Sequence, residues 1–402
     1  NTVYLHQTFS MNPSASGWLK KLLSEISVQD AFLKGDTSNF YQDLRTSGFI
    51  YGSNVKCIHK AYNNPDYTEE EFTKLNLVLS LIYIYNHHKG PKESFTDSVI
   101  AFYKAINEFK PSFLDELLGE KKGHELLEKI IHKRIHIDDN IITKNFNYFI
   151  TNAVLFSDVL AFKTFLKEPN KVEDYLKELE AAIEIGVYKA FNTKEDKTDY
   201  DKSLMKLFES SLRYKNESHL NLQDILPSFT HVLEKYYLID IVAMSLWSDK
   251  VIDNNEAIFL KSISKQLGLD EKIADDSIVH LSSFYATYKD KIALLNSKNP
   301  VQSFYDNSGK MVSKLIKRNK KRLIKELQES KELLLLISKS TTTPLTDEEQ
   351  KKVQGQLLDI FKSIPSLAIF MLPGGMLLLP IVIKFIPKLL PSAFDENRME
   401  EK

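Results

Sequence analysis

The chain has 402 residues, with 53 Lys and Arg against 54 Asp and Glu, 13 glycines, 13 prolines and one cysteine, Cys57. That length gives room for two or three domains, and the scarcity of glycine and proline points to an all-α chain of amphipathic helices. One cysteine excludes an intrachain disulfide framework and fits a reducing compartment. The near-neutral total hides an asymmetry: residues 1–300 carry 36 basic and 42 acidic side chains, residues 301–352 carry 12 and 7, and the remainder carries 5 and 5.

In chain order, residues 1–30 read as a polar entry and a short amphipathic helix around Trp18 to Ile26. They lack a cationic stretch followed by a continuous apolar one, so no secretory signal is expected and the bulk of the chain is expected in the cytoplasm. Thr68 and Glu71 have the capping-box spacing and open a helix that is apolar almost all round, from Leu75 to Ile84. Helical spacing continues over Ser94 to Phe109 and over Phe113 to His136. Phe146 to Leu166 is strongly apolar, but Asp158 at its centre argues for a core helix over a membrane span. Pro169 breaks the pattern before a charged amphipathic helix from Val172 to about Phe191; a solvated loop, 192–201, and a further helix to about Leu212 follow.

From Phe229 a compact helical hairpin begins, with Gly268 placed to end one helix and Asp270 to cap the next. Ser248-Asp249, Asp253 and Glu256 give it a helix ending in small-Asp, a short acidic turn and a Glu opening the second helix. In this the unit resembles the TerB family, and the resemblance implies a divalent-cation site at Asp249, Asp253 and Glu256. Asp253 with Glu256 is equally a D-x-x-E cap, which needs no metal. The alternating acidic loop of an EF-hand is absent.

Lys310 to Lys325, KMVSKLIKRNKKRLIK, holds eight basic residues and no acidic one. Val312, Leu315, Ile316, Leu323 and Leu327 form a rough helical stripe, which leaves Lys314, Lys317, Arg318, Lys320, Lys321, Arg322 and Lys325 as a basic surface. Anionic lipid headgroups attract such a surface, and so do the phosphates of RNA; a plain solvated face is the third reading. Thr346 and Glu349 then supply another capping box.

Ser363 to Ile383 is a run of 21 residues without a charge, which as a helix at about 1.5 Å per residue reaches roughly the thickness of a hydrocarbon core. Pro365, Pro373, Pro380, Pro387 and Pro391 punctuate the run and its continuation, and Gly374-Gly375 follows the second proline. Each proline removes a backbone donor and crowds a carbonyl, so the segment bends and needs partners for the freed groups. A kinked single span, a re-entrant hairpin and a buried helical hairpin of a soluble unit are all open at this level.

Pro373, Leu378 to Pro380, Phe385, Pro387 and the closing Leu390-Pro391-Ser392-Ala393-Phe394 resemble the membrane segment of the LETM family of mitochondrial inner-membrane proteins. Together with the TerB-like unit they look like the bacterial LETM-related proteins of Bacteroidetes sometimes labelled biofilm-associated. The resemblance implies an inner-membrane protein with its bulk on the cytoplasmic side, linked to cation/proton homeostasis or membrane-linked assembly, with lipid and itself or another membrane protein as partners. The family's ribosome-binding domain follows its membrane segment, and this sequence ends eight residues after Phe394. Ribosome or RNA binding is therefore left to the basic helix, as one alternative; a cytoplasmic scaffold that buries its own C-terminal hairpin is the other.

The sequence carries no P-loop, no glycine-rich dinucleotide turn, no G-x-S-x-G and no paired cysteines. Cys57 has His59 nearby, but i and i+2 do not make a nucleophile–base pair. His132 and His136 share a helical face ahead of Asp138 and Asp139, an arrangement more common on solvated surfaces than around a metal. The expectation is a non-enzymatic protein with no small-molecule substrate and no cofactor beyond that divalent cation. It divides into an N-terminal helical domain (1–225), the TerB-like unit (226–300), a basic helix and linker (301–345) and the LETM-like segment (346–402).

Overall fold

The computed structural model describes residues 11–27, 29–88, 94–106, 123–135, 152–194, 221–247, 252–288 and most of 312–364, with Leu367, Val382, Ile383 and Ile386. The fold is all-α, an irregular multi-helix assembly with no strand among the described residues. Its helices are α1 (Trp18–Glu25), α2 (Ala31–Lys34), α3 (Thr37–Ser47), α4 (Glu69–His87), α5 (Phe95–Ala105), α6 (His124–Ile135), α7 (Leu155–Lys167) and α8 (Val172–Thr193). Then come α9 (Leu222–Ile225), α10 (Val232–Leu246), α11 (Asn254–Gln266), α12 (Lys272–Tyr288), α13 (Lys320–Glu329), α14 (Lys331–Thr342) and α15 (Asp347–Ser363).

The capping boxes form where the sequence places them. The Thr68 amide donates to Glu71 Oε2 at 2.8 Å and the Glu71 amide to Thr68 Oγ1 at 3.3 Å, so two otherwise unbonded donors at the start of α4 are satisfied. Leu75, Leu77, Val78, Leu79 and Leu81 lie on every side of α4, which packs against α6 and α7 and is buried along its first four turns. Buried side chains from Met11 to Tyr285 belong to one continuous apolar cluster, so α10, α11 and α12 share a core with the helices that precede them.

Asp158 and Asp240 are sunk completely in that core. Asp158 of α7 accepts from Arg134 of α6 through Nε at 2.7 Å and Nη2 at 3.2 Å, and from the Tyr103 hydroxyl of α5 at 3.1 Å. Asp240 of α10 accepts from Arg45 of α3 through Nε at 2.7 Å and Nη2 at 2.9 Å, from Tyr41 at 2.6 Å and from Ser277 of α12 at 2.5 Å. A bare carboxylate is not tolerated in such surroundings, and the two-pronged arginine with added hydroxyls supplies both charge and geometry.

Residues 48–58 cross this core as a loop instead of running over the surface. Asn76 holds it from the middle of α4, donating to Asn54 Oδ1 at 2.7 Å and accepting from the Ile58 amide at 2.9 Å. Gly48 starts the loop with φ at +83°, where a Cβ would lie 1.9 Å from the Ser53 carbonyl and 2.5 Å from the Phe284 ring. Only glycine fits there.

Removing Asp240's partner by Arg45→Ala should cost about 3–5 kcal/mol, because it leaves a buried charge unpaired. The double change Arg45→Met with Asp240→Leu should recover most of that loss in chemical denaturation. Equal destabilisation by the single and double variants would show that the pair's packing, and not its charge, carries the effect.

Candidate functional site

The C-terminal helices have a core of their own. Val312, Leu315, Ile316, Leu323 and Leu327 from the basic region meet Leu333 and Ile337 of α14 and Val353, Leu357, Ile360 and Phe361 of α15. The same cluster contains Ile364, Leu367, Val382 and Ile386, the described residues of the apolar run and its continuation that are fully buried. Thr346 and Glu349 form the expected box at the head of α15. Lys339 with Glu349 at 2.7 Å and Lys352 with Glu332 at 2.5 Å tie α14 to α15, and Ser330 Oγ donates to Gln356 Oε1 at 2.9 Å. Pairs this exposed add little stability and chiefly fix the register of two helices whose cohesion is apolar.

With the apolar stripe turned inward, the basic side faces water. Lys317, Lys320, Lys321, Arg322 and Lys325 are all exposed, and none has an ion-pair partner among the described residues. The helix expected to run unbroken through Lys310 to Lys325 is interrupted at Asn319, whose side chain donates to the Leu315 carbonyl at 2.7 Å and closes the first helical piece. A new helix, α13, therefore begins with Lys320, Lys321 and Arg322 in its first turn and no acidic residue there. The positive end of a helix dipole disfavours cations by about 0.3–1 kcal/mol each at such positions. The arrangement strains the isolated surface and favours an anion above it.

Lys314 and Arg318 lie outside the described residues, as do Pro373, Gly374, Gly375, Pro380, Pro387, Pro391 and Phe394. No described helix is long and apolar enough to cross a membrane. Helix α14 was not anticipated: Ser330 accepts from the Leu333 amide as its cap, and the run Leu333 to Ile337 buries Leu333 and Ile337 and leaves Leu335 outside. Ser330 three residues ahead of Leu333 was the only local signal for it.

The acidic turn ahead of α11 is a helix cap. Asp253 accepts from the Glu256 amide at 2.9 Å, and Glu256 Oε2 accepts from the Asp253 amide at 2.8 Å. Lys194, at the end of α8, places its ammonium 3.5 Å from Glu256 Oε1, so both oxygens of this buried carboxylate are engaged. Asp249 lies outside the described residues, among which no group of three or more potential metal ligands occurs. His132 sits 3.6 Å from Glu70, and His136 is outside the described residues. Burial pushes the Cys57 thiol up to about 12, against the lowered value a nucleophilic thiolate requires.

These features define an all-helical protein with a separately cored, cationic C-terminal unit. Residues 345–402, which contain α15 and the apolar run, match the family model described as LETM1-like, RBD. No curated protein and no solved structure matches the chain.

Because the C-terminal cluster shares no buried residue with the larger core among the described residues, Phe361→Ala should loosen α13, α14 and α15 selectively. The expected loss is about 3–5 kcal/mol locally, read as faster amide exchange in α13, α14 and α15 with protection of α4, α7 and α10 unchanged. Uniform loss of protection across all these helices would make the two cores one cooperative unit.

Proposed function

We propose that this chain is a non-enzymatic, LETM-like protein that associates with membranes by laying the cationic face of its C-terminal unit on anionic lipid. The observation that carries the reading is the row Lys317, Lys320, Lys321, Arg322 and Lys325, exposed and unpaired among the described residues above an apolar face already committed to the unit's own core. Burial of Ile364, Leu367, Val382 and Ile386 in that core favours docking by charge over a lone span held in lipid. The match to the LETM1-like model covers the adjoining α15 and apolar run, which supports a membrane setting for the unit.

The full chain should cosediment with vesicles rich in phosphatidylglycerol and not with pure phosphatidylcholine, and release should rise with salt. Changing the five cations to glutamine should weaken binding by about 1 kcal/mol for each charge near the surface. Equal binding to neutral vesicles, or no response to the substitutions, would overturn the proposal.

A second reading has its own support in the matched description, LETM1-like, RBD. On that reading the same face meets ribosomal RNA. Salt-sensitive cosedimentation with ribosomes, abolished by the same five substitutions and with no vesicle binding, would select it.

A further inference from the structure

Leu335 of α14 is 71% exposed, more than any other large apolar side chain among the described residues. A helix places residues i and i+4 on one side, so Lys331 and Lys339 stand one turn before and one turn after it. Lys331 is exposed and has no ion-pair partner among the described residues, and Lys339 is exposed and reaches Glu349 at 2.7 Å. The one carboxylate of α14, Glu332, is taken up by Lys352 at 2.5 Å and Gln356 at 3.2 Å.

The position of Leu335 follows from the core pattern. It lies midway between Leu333 and Ile337, both fully buried, and an offset of two residues from each turns it away from the core. Lys325 holds the equivalent place on α13, midway between the buried Leu323 and Leu327. The two helices are joined through Ser330 and pack on each other, so the leucine and the α13 cations share the outer surface of one helix pair. Leu334 and Leu336 are partly buried against the core and give Leu335 an apolar base.

The other exposed apolar side chains have a different setting. Val279 of α12 follows Asp275 and Asp276 by one turn, and Tyr188 of α8 follows Glu184. Beside Ile258 of α11, Lys261 is held by Asp275 at 3.0 Å. Carboxylates next to an apolar side chain keep it off an anionic surface, whereas lysines one turn to either side draw it down to one.

We infer that Leu335 is the residue by which the C-terminal unit inserts into the apolar boundary of an anionic bilayer, with Lys331 and Lys339 at the headgroups on either side. Lysine suits these flanking places because its methylene stem lies along apolar surface while its ammonium stays with the phosphates. This contact rests on the membrane association proposed above and extends it. The α13 cations bring the unit to the surface through a field that salt weakens, and Leu335 adds an apolar contact that salt does not screen.

Cys57 is the chain's single cysteine and is buried, with its thiol pushed up to about 12, so Leu335→Cys takes an environment-sensitive fluorophore selectively at neutral pH. When the labelled full chain meets phosphatidylglycerol-rich vesicles, the emission should shift to the blue and be quenched by lipids brominated on their acyl chains. The same label at Val279→Cys should show neither change. In the unlabelled chain, Leu335→Asn should weaken vesicle binding about fivefold or more, and salt should release the variant more completely than the unmodified chain. Vesicle binding with no shift at position 335, or equal binding by Leu335→Asn, would overturn the insertion and leave docking by charge standing; no binding to any vesicle would remove both. A blue shift that grows with protein concentration in the absence of vesicles would instead assign Leu335 to a contact between copies of the chain.

Discussion

The larger core depends on how two negative charges are accommodated inside it. Asp158 in the first turn of α7 and Asp240 at the middle of α10 both lie fully buried, and each is held by one arginine and a tyrosine. The Asp240 cluster joins α3, α10 and α12, while the Asp158 cluster joins α5, α6 and α7. Tyr237 of α10 donates to the Ala153 carbonyl at 2.8 Å and lies near Ser157 Oγ, so the two clusters are bridged through a shared helix. Hydrophobic burial alone permits many ways of stacking helices; a carboxylate that must meet one guanidinium permits few.

The C-terminal unit solves a different problem. Its helices are short and its sequence strongly charged, so its stability rests on a thin apolar seam completed by residues from beyond α15. Having spent its leucines and isoleucines on that seam, it offers water a face of five cations, three of them at the wrong end of a helix dipole. The larger core pairs its buried arginines closely, whereas the exposed cations of α13 have no such partners among the described residues.

Much of this was legible in the sequence where the physics is local. The caps at Thr68, Asp253 and Thr346 depend on residues three apart, and all three formed. Asp158 marked its helix as a protein-core element, but its partner, Arg134, is 24 residues away, and Arg45 lies 195 residues from Asp240. Helical spacing tells which side of a helix is apolar and says nothing of what meets it, so neither pairing was visible. The apolar run posed the same difficulty in another form, because lipid and a protein seam select the same side chains. Only their placement beside Val312, Leu323 and Phe361 shows where Leu367, Val382 and Ile386 are buried.

Lys163 shows why charge has to be read in three dimensions. In sequence it is one lysine in the turn after Phe162, unremarkable beside Lys167, and amphipathic spacing would place both in water. Folding instead leaves Lys163 only 7% exposed, while Lys167 stays in water. The lysines of α13 keep their hydration and attract an anion through long-range field, which salt weakens. Lys163 instead buries its aliphatic stem among the core helices and keeps its ammonium at the solvent.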